Sequence, residues 1–260
     1  MSGPAHVVVA IPARNERDHI AGCLHAVCRS LAEARRRGLV ERATVEVAAH
    51  RCSDDTGLLA ARVLTARLGR VMVDSETEFV GAVRDDAVRR GLRVIGGDHA
   101  RVWVLSTDAD TLVGVDWVSQ ILTLAKAADV KAVVGLATLD RWQGHPAGRR
   151  VYEALLASKM RDDGPSHQHD HVYGANLAVR GDVYLAVGGF PRDGHGEDQL
   201  LVNRIAAGGH RIVRTRDVAV TTSGRFVGRA EGGLAAHLRR LDAQACQDMA
   251  HATTGSGHAH

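Results

Sequence analysis

Two groups of carboxylates stand out by type and spacing. In "VWVLSTDADT", Asp108 and Asp110 lie two residues apart just after the apolar run Val102–Leu105. At the end of a strand that spacing sends both side chains to the same side, and two carboxylates crowded at one spot need a cation. The pair without a ligand reads instead as a solvated turn. In "GGFPRDGHGED", Glu197 and Asp198 stand where a helical period begins. They read either as first-turn acids that complement the helix dipole or as a general base held at a rigid helix end facing the cation site. A third segment, Pro12, Ala13, Arg14, Asn15 and Glu16, follows the first apolar run. It is not a G-x-G-x-x-G turn, which argues against a dinucleotide site of the Rossmann kind.

The elements that must position these residues follow from the hydrophobic pattern. Over the first 140 residues, short Val-rich runs alternate with helical periods, the mark of an α/β fold. Strands are predicted at His6–Ile11, Thr44–Ala49, Arg70–Asp74, Arg101–Ser106 and Ala132–Ala137. Helices are predicted at Arg17–Arg37, Asp55–Arg67, Gly81–Gly91 and Val115–Ala128; in the last, Trp117, Ile121, Leu124, Ala125 and Ala128 form one apolar stripe. Strands joined through helices run parallel, with right-handed crossovers, and ligands bind beyond their carboxyl ends. The loaded loops all follow strands.

After Asp140 the pattern changes to a Gly-, Arg- and His-rich stretch. It holds a predicted helix at Arg149–Met160, the alternating run "HVYGANLAVR", a helix Glu197–Ala207 closed by Gly208 and Gly209, the strand candidate "RIVRTRDVAV" and a last helix at Ala230–Ala250. With no repeat and no linker, residues 1–250 read as a single domain of two halves, 1–140 and 141–250, followed by a disordered tail at 251–260.

The 260 residues allow one large domain or two small ones, and 45% apolar against 24% charged residues describes a folded globular chain. A net charge of +3 is too small for a dedicated nucleic-acid binder. No apolar run is long enough to span a bilayer and Met1 to Pro12 lacks a secretory start, so a cytoplasmic protein is expected. Cys23, Cys28, Cys52 and Cys246 show no paired or zinc-finger spacing and are expected to be buried or free thiols. The alternating His167, His169 and His171 would share one face of a strand, but no fourth zinc ligand is evident. Tyr173 reads equally as core or as part of an acceptor pocket, and "TSGRFVGR" brings Ser223, Arg225 and Arg229 near the predicted site, where an Arg suits a diphosphate.

In order along the chain, "VVVAIPARNE", "CSDDT", "VGAVRDDAV", "STDADT", "YGANLAVR" and "GGFP" followed by "GED" resemble family 2 glycosyltransferases of the GT-A fold, over about Val7 to Leu201. The resemblance implies a Rossmann-like, mostly parallel sheet with helices on both faces, and a nucleotide diphosphate sugar donor bound in the first half. It implies that Pro12–Glu16 holds the base and ribose, with Glu16 reaching ribose hydroxyls, and that Arg84 contacts the nucleotide. Asp108, Ala109 and Asp110 then match the D-x-D segment, with Asp110 helping to hold Mg²⁺ or Mn²⁺, and Asp198 matches the base of inverting members. Glu197 would orient a sugar hydroxyl, and His195 or His237 are candidates to complete the metal shell. Where the family carries an acidic pair facing the nucleobase, this chain has Ala49 and His50, so uracil, guanine and thymine stay open. The expectation is a metal-dependent transfer of a sugar to a hydroxyl acceptor, with inversion. A non-catalytic nucleotide-binding module is the alternative; a sugar nucleotidyltransferase would need a Gly-rich phosphate loop that "IPARNE" lacks.

Overall fold

A computed structural model of the chain describes residues 3–65, 68–74, 76–158, 160–161, 168–169, 171–228 and 233–255. The Val-rich runs form strands because branched side chains pack well on a pleated, buried surface. In chain order they are β1 (Ala5–Ala13), β2 (Val40–His50), β3 (Gly69–Asp74), β4 (Val102–Ser106), β5 (Thr111–Val113), β6 (Ala132–Leu139), β7 (Met160–Arg161), β8 (Gln168–His169), β9 (Leu177–Arg180) and β10 (Ile212–Thr222). The helices are α1 (Ile20–Arg36), α2 (Thr56–Val63), α3 (Val80–Ile95), α4 (Trp117–Ala127), α5 (Pro146–Ser158), α6 (Gly181–Ala186), α7 (Glu197–Ala207) and α8 (Leu234–Gly255).

Eight strands make one sheet in the order β3-β2-β1-β4-β9-β6-β10-β5, while β7 and β8 form a separate antiparallel pair. Strands β3, β2, β1 and β4 pair in parallel, as their helical crossovers require. Both faces are covered, and the period of two decides which residue meets which layer. On β1, Val7, Val9 and Ile11 join the core formed with Ile20, Leu24 and Val27 of α1 and Trp117 and Ile121 of α4. Val8 and Ala10 join the opposite core, with Val83, Val88 and Leu92 of α3, Tyr184 of α6 and Leu201 and Ile205 of α7. The strand ends that carry the loaded loops therefore emerge at one edge of a sheet packed on both sides.

Several bounds differ from those the sequence predicts. Helix α2 stops at Val63 rather than Arg67, and α3 runs on to Ile95, where Gly96 turns the chain at φ 62°. Helix α8 continues through Gly255, past the predicted end at Ala250, and so takes in the first half of the stretch expected to be a disordered tail; residues 256–260 lie outside the described residues. Strand β9 was legible only as an alternating run; it pairs antiparallel with both β4 and β6 and separates them. Strand β5 and helix α6 are too short to leave a period. In β10 the pairing with β6 slips between Thr215 and Ala219, and Asn176 fills the gap. Its Nδ2 donates to the Leu136 and Val218 carbonyls, both at 2.9 Å, and its Oδ1 accepts from Trp117 Nε1 at 2.9 Å.

Candidate active site

The loop after β1 is held by the turn after β2. Asn15 takes a left-handed conformation, φ 53°, and its Oδ1 accepts from the Ser53 backbone N–H at 2.8 Å. One residue on, the Glu16 N–H donates to Thr56 Oγ1 at 2.7 Å, and Thr56 in turn donates to Asp54 Oδ1. The "CSDDT" segment thus works as a clamp on "PARNE". Its effect is to aim the Glu16 side chain inward while the Asn15 carboxamide is spent on the clamp.

Arg84, near the start of α3, is the hub of the site and is 4% exposed. Its Nη2 donates to Asp108 Oδ1 at 2.5 Å, its Nη1 to Ser106 Oγ at 2.7 Å and to the Gly174 carbonyl at 3.3 Å, and its Nε to Glu197 Oε1 at 3.3 Å. Burial works against the cation, but Asp108 and then Glu197 beside it hold the guanidinium above the usual arginine value. Most of its N–H groups are engaged within the protein, so Arg84 ties β4, the segment before β9 and α7 together. The family resemblance implies a contact with the nucleotide at this residue.

Asp110 lies two residues on, in the turn after β4. Burial, and then the Asp108 charge, push its carboxyl up to about 7. Among the described residues no group of three or more His, Cys, Asp or Glu is arranged to hold a metal; Asp108 and Asp110 would hold a divalent cation together with oxygens of water or of a bound ligand. The cation now nearest Asp110 is Arg225, whose Nη2 is 3.1 Å from Asp110 Oδ2. Arg225 also grips Glu16 with both ends of its fork, Nη1 to Oε2 at 2.7 Å and Nη2 to Oε1. Both oxygens of Glu16, the residue expected to meet a ribose, are therefore taken by Arg225. Thr222 Oγ1 reaches Asp110 Oδ1 at 3.4 Å.

Helix α7 brings the second pair of carboxylates. Gly196 precedes it in the left-handed region, φ 78°, so the chain turns sharply into the helix. Gly81 lets α3 approach: a Cβ there would lie 2.1 Å from the Pro191 carbonyl and 2.9 Å from Glu197 Cβ. The loop before α7 is pinned by fully buried Asp85, which accepts from Tyr184 Oη at 2.8 Å, Arg89 Nε at 2.7 Å and Arg192 Nη1 at 3.0 Å. Tyr184 Oη accepts from the Phe190 N–H at 3.0 Å. On this frame Asp198 Oδ2 accepts from the Gly174 N–H at 2.9 Å and Oδ1 from its neighbour Gln199 at 2.7 Å. Burial, and then the Glu197 charge, raise the Asp198 carboxyl above the ordinary range. Glu197, nearly buried, accepts from Arg84 at the cavity wall.

These groups line one cavity of about 870 Å³. Pro12, Ala13, Arg14 and Glu16 form one wall, His50 stands at the end of β2, and Asp108, Ala109 and Asp110 lie beside Arg84. Glu197, Asp198, Tyr173, His195 and His237 line the other half, with Thr222, Ser223 and Arg225 closing it. Among solved structures the chain is similar to the mannosyltransferase PcManGT from Pyrobaculum calidifontis, in complex with GDP-Man and Mn²⁺, with TM-score 0.62 and 19% identity over 88% of this chain and 59% of that one. It is similar to S. aureus TarS 1-349 in complex with UDP-GlcNAc, TM-score 0.58, 15% identity, 93% and 66% covered. It is also similar to M. tuberculosis glucosyl-3-phosphoglycerate synthase, TM-score 0.52, 18% identity, 95% and 82% covered.

The chain has the GT-A fold.

It spans about three fifths of the length of the PcManGT chain. No family model matches it, and no curated protein does. In GT-A terms, the structure gathers every residue singled out in the sequence for the nucleotide and the metal except Asn15, which braces the loop instead. Thr222 and Thr56, which touch Asp110 and Glu16, escaped the sequence reading; their only signal was a hydroxyl placed at a strand end or a helix start. His167 and Arg229 lie outside the described residues, and His171 stacks on Tyr173 with ring centres 5.5 Å apart. The four cysteines are free: Cys23 is buried, Cys28 and Cys52 are half-buried, and Cys246 is exposed.

Proposed function

We propose that this chain is a metal-dependent glycosyltransferase that moves a sugar from a nucleotide diphosphate donor to a hydroxyl acceptor with inversion at the anomeric carbon. The observation that carries the reading is that, in a GT-A fold, Asp108 with Asp110 and Asp198 with Glu197 open on one cavity and are linked through a single buried guanidinium, Arg84. The neighbours PcManGT and TarS, seen with GDP-Man and UDP-GlcNAc, support a sugar nucleotide as donor, and the Mn²⁺ in PcManGT supports a divalent cation.

In this reading the first wall, Pro12 to Glu16 with His50, takes the nucleoside, and the diphosphate lies toward Asp108 and Asp110. Asp108 and Asp110 would hold Mg²⁺ or Mn²⁺, which would supply positive charge against the charge developing on the leaving diphosphate. Asp198 accepts the proton of the acceptor hydroxyl as that oxygen bonds to the anomeric carbon and the bond to the diphosphate oxygen breaks. Its raised carboxyl makes it a stronger base than an exposed aspartate, and the Gly174 N–H holds one oxygen so that the carboxylate keeps its aim. Glu197 acts indirectly, by fixing Arg84. The residues that bind the acceptor sit in the half lined by Tyr173, His195 and His237.

Incubation with UDP-, GDP- and dTDP-sugars and Mn²⁺ tests this. Release of nucleoside diphosphate from one donor class, abolished by chelator, is expected, with inverted product stereochemistry by NMR once an acceptor is found. Binding of nucleotide with no donor cleavage under any of these conditions would favour the non-catalytic module; a retained configuration would remove Asp198 as base.

A further inference from the structure

Arg225 stands where the proposed site wants a cation, and it is built in. A side chain on Gly224 would run into the Arg141 carbonyl, the Gly224 N–H donates to Asp140 Oδ1 at 2.9 Å, and the Phe226 N–H donates to Gln143 Oε1 at 3.0 Å. Trp142 packs edge-on against Phe226, ring centres 5.2 Å apart. Both neighbours of Arg225 are thus fixed by the turn after β6. That turn is fixed by α8, where Asp242 Oδ1 accepts from the His145 N–H at 2.8 Å. The frame delivers the guanidinium to two carboxylates distant in sequence, Glu16 and Asp110, and leaves its side chain 17% exposed. A metal held by Asp110 and this guanidinium compete for the same carboxylate.

We propose that Arg225 is a resident counter-ion, displaced from Asp110 only when the divalent cation and the donor diphosphate arrive together, so that metal binding is conditional on the nucleotide. This rests on the glycosyltransferase reading above. A divalent cation arriving alone must push Arg225 off Asp110 and leaves two added positive charges beside two guanidinium groups in a half-buried site. A sugar nucleotide brings one negative charge on each phosphate, which restores the balance, and the fork of an arginine matches phosphate oxygens. The released Arg225 then has an anion to take while its stem stays anchored in the loop.

Mn²⁺ binding to the full chain, followed by the EPR signal of the free ion, tests the proposal without reference to turnover. For the wild type, UDP or GDP is expected to tighten Mn²⁺ binding about tenfold or more, a typical coupling between two sites. Arg225→Gln should bind Mn²⁺ alone about tenfold more tightly than the wild type and lose most of the nucleotide's effect, while Arg225→Lys stays within about threefold of the wild type. Glu16→Gln, which leaves Asp110 as the sole partner of Arg225, should shift Mn²⁺ affinity the opposite way, to weaker binding. A merely loosened loop would weaken binding in both variants. Unchanged or weaker Mn²⁺ affinity in Arg225→Gln, with nucleotide coupling intact, overturns the role of Arg225. Wild-type protein that shows no Mn²⁺ coupling with either nucleotide, and the same Mn²⁺ titration as Asp110→Asn, overturns the glycosyltransferase reading and this proposal with it.

Discussion

Replacing Arg84 by Met should damage the fold as well as the site, by an amount that the geometry sets. The Arg84 side chain is 5% exposed and Glu197 beside it is 9% exposed, so the variant leaves Glu197 buried without its counter-charge, while Asp108, at 34%, recovers part of its loss from water. Removing one partner of a buried ion pair costs about 3–5 kcal/mol. For a chain of this size each kcal/mol moves the melting temperature by about 2–4 °C, so a fall of roughly 6–20 °C is expected. Ser106 Oγ and the Gly174 carbonyl lose a donor at the same time, which places the result toward the upper half. The double variant Arg84→Met with Glu197→Gln should recover part of the loss, because a neutral amide needs no counter-charge. Thermal melts of the single and double variants read both effects. A single variant that melts within about 2 °C of the wild type, or a double variant that loses the sum of both changes, would refute the assignment of Arg84 as the buried hub.

Asp198→Asn should lower transfer by about 10²–10⁴-fold with donor affinity nearly unchanged, as steady-state rates and calorimetry would show; near-wild-type transfer would move the base elsewhere. Metal binding in the presence of nucleotide should strengthen as pH rises from 6 toward about 7 and change little from there to 8, because burial and the Asp108 charge push the Asp110 carboxyl up to about 7 and its proton must leave before the oxygen can take a cation. Calorimetric titrations across that window check it, and the slope should vanish in Asp110→Asn. His50→Ala should weaken nucleotide binding without altering its dependence on metal; equal dissociation constants across UDP, GDP and dTDP would take His50 out of the site.

The α/β order and the loaded strand ends were legible because they are local. A Val-rich run declares its strand, and the two carboxylates stand out directly after it, although Asp108 and Asp110 lie in the turn beyond β4 and not on its extended end. The start of α7 at Glu197 was also legible, from the glycines before it and the period after it. What escaped depends on residues far apart in sequence. Strand β9 takes both neighbours from segments more than 30 residues earlier, so nothing inside "LAVR" shows that it runs antiparallel between β4 and β6. Asn15 and Glu16 look alike as polar loop residues, but the clamp from Ser53 and Thr56 turns one toward the frame and the other toward the cavity. The role of Arg225 was open for the same reason: Glu16 lies 209 positions away, and no periodicity reports a contact of that range.

Whether Asp108 and Asp110 make a metal-dependent diphosphate site is decided by calorimetry of UDP and GDP binding in Mn²⁺ and in chelator, with wild type and Asp110→Asn side by side. Tight binding of at least one nucleotide to the wild type is expected only with Mn²⁺, and for Asp110→Asn the weak chelator value under both conditions. Equal affinity in Mn²⁺ and in chelator for the wild type would contradict it.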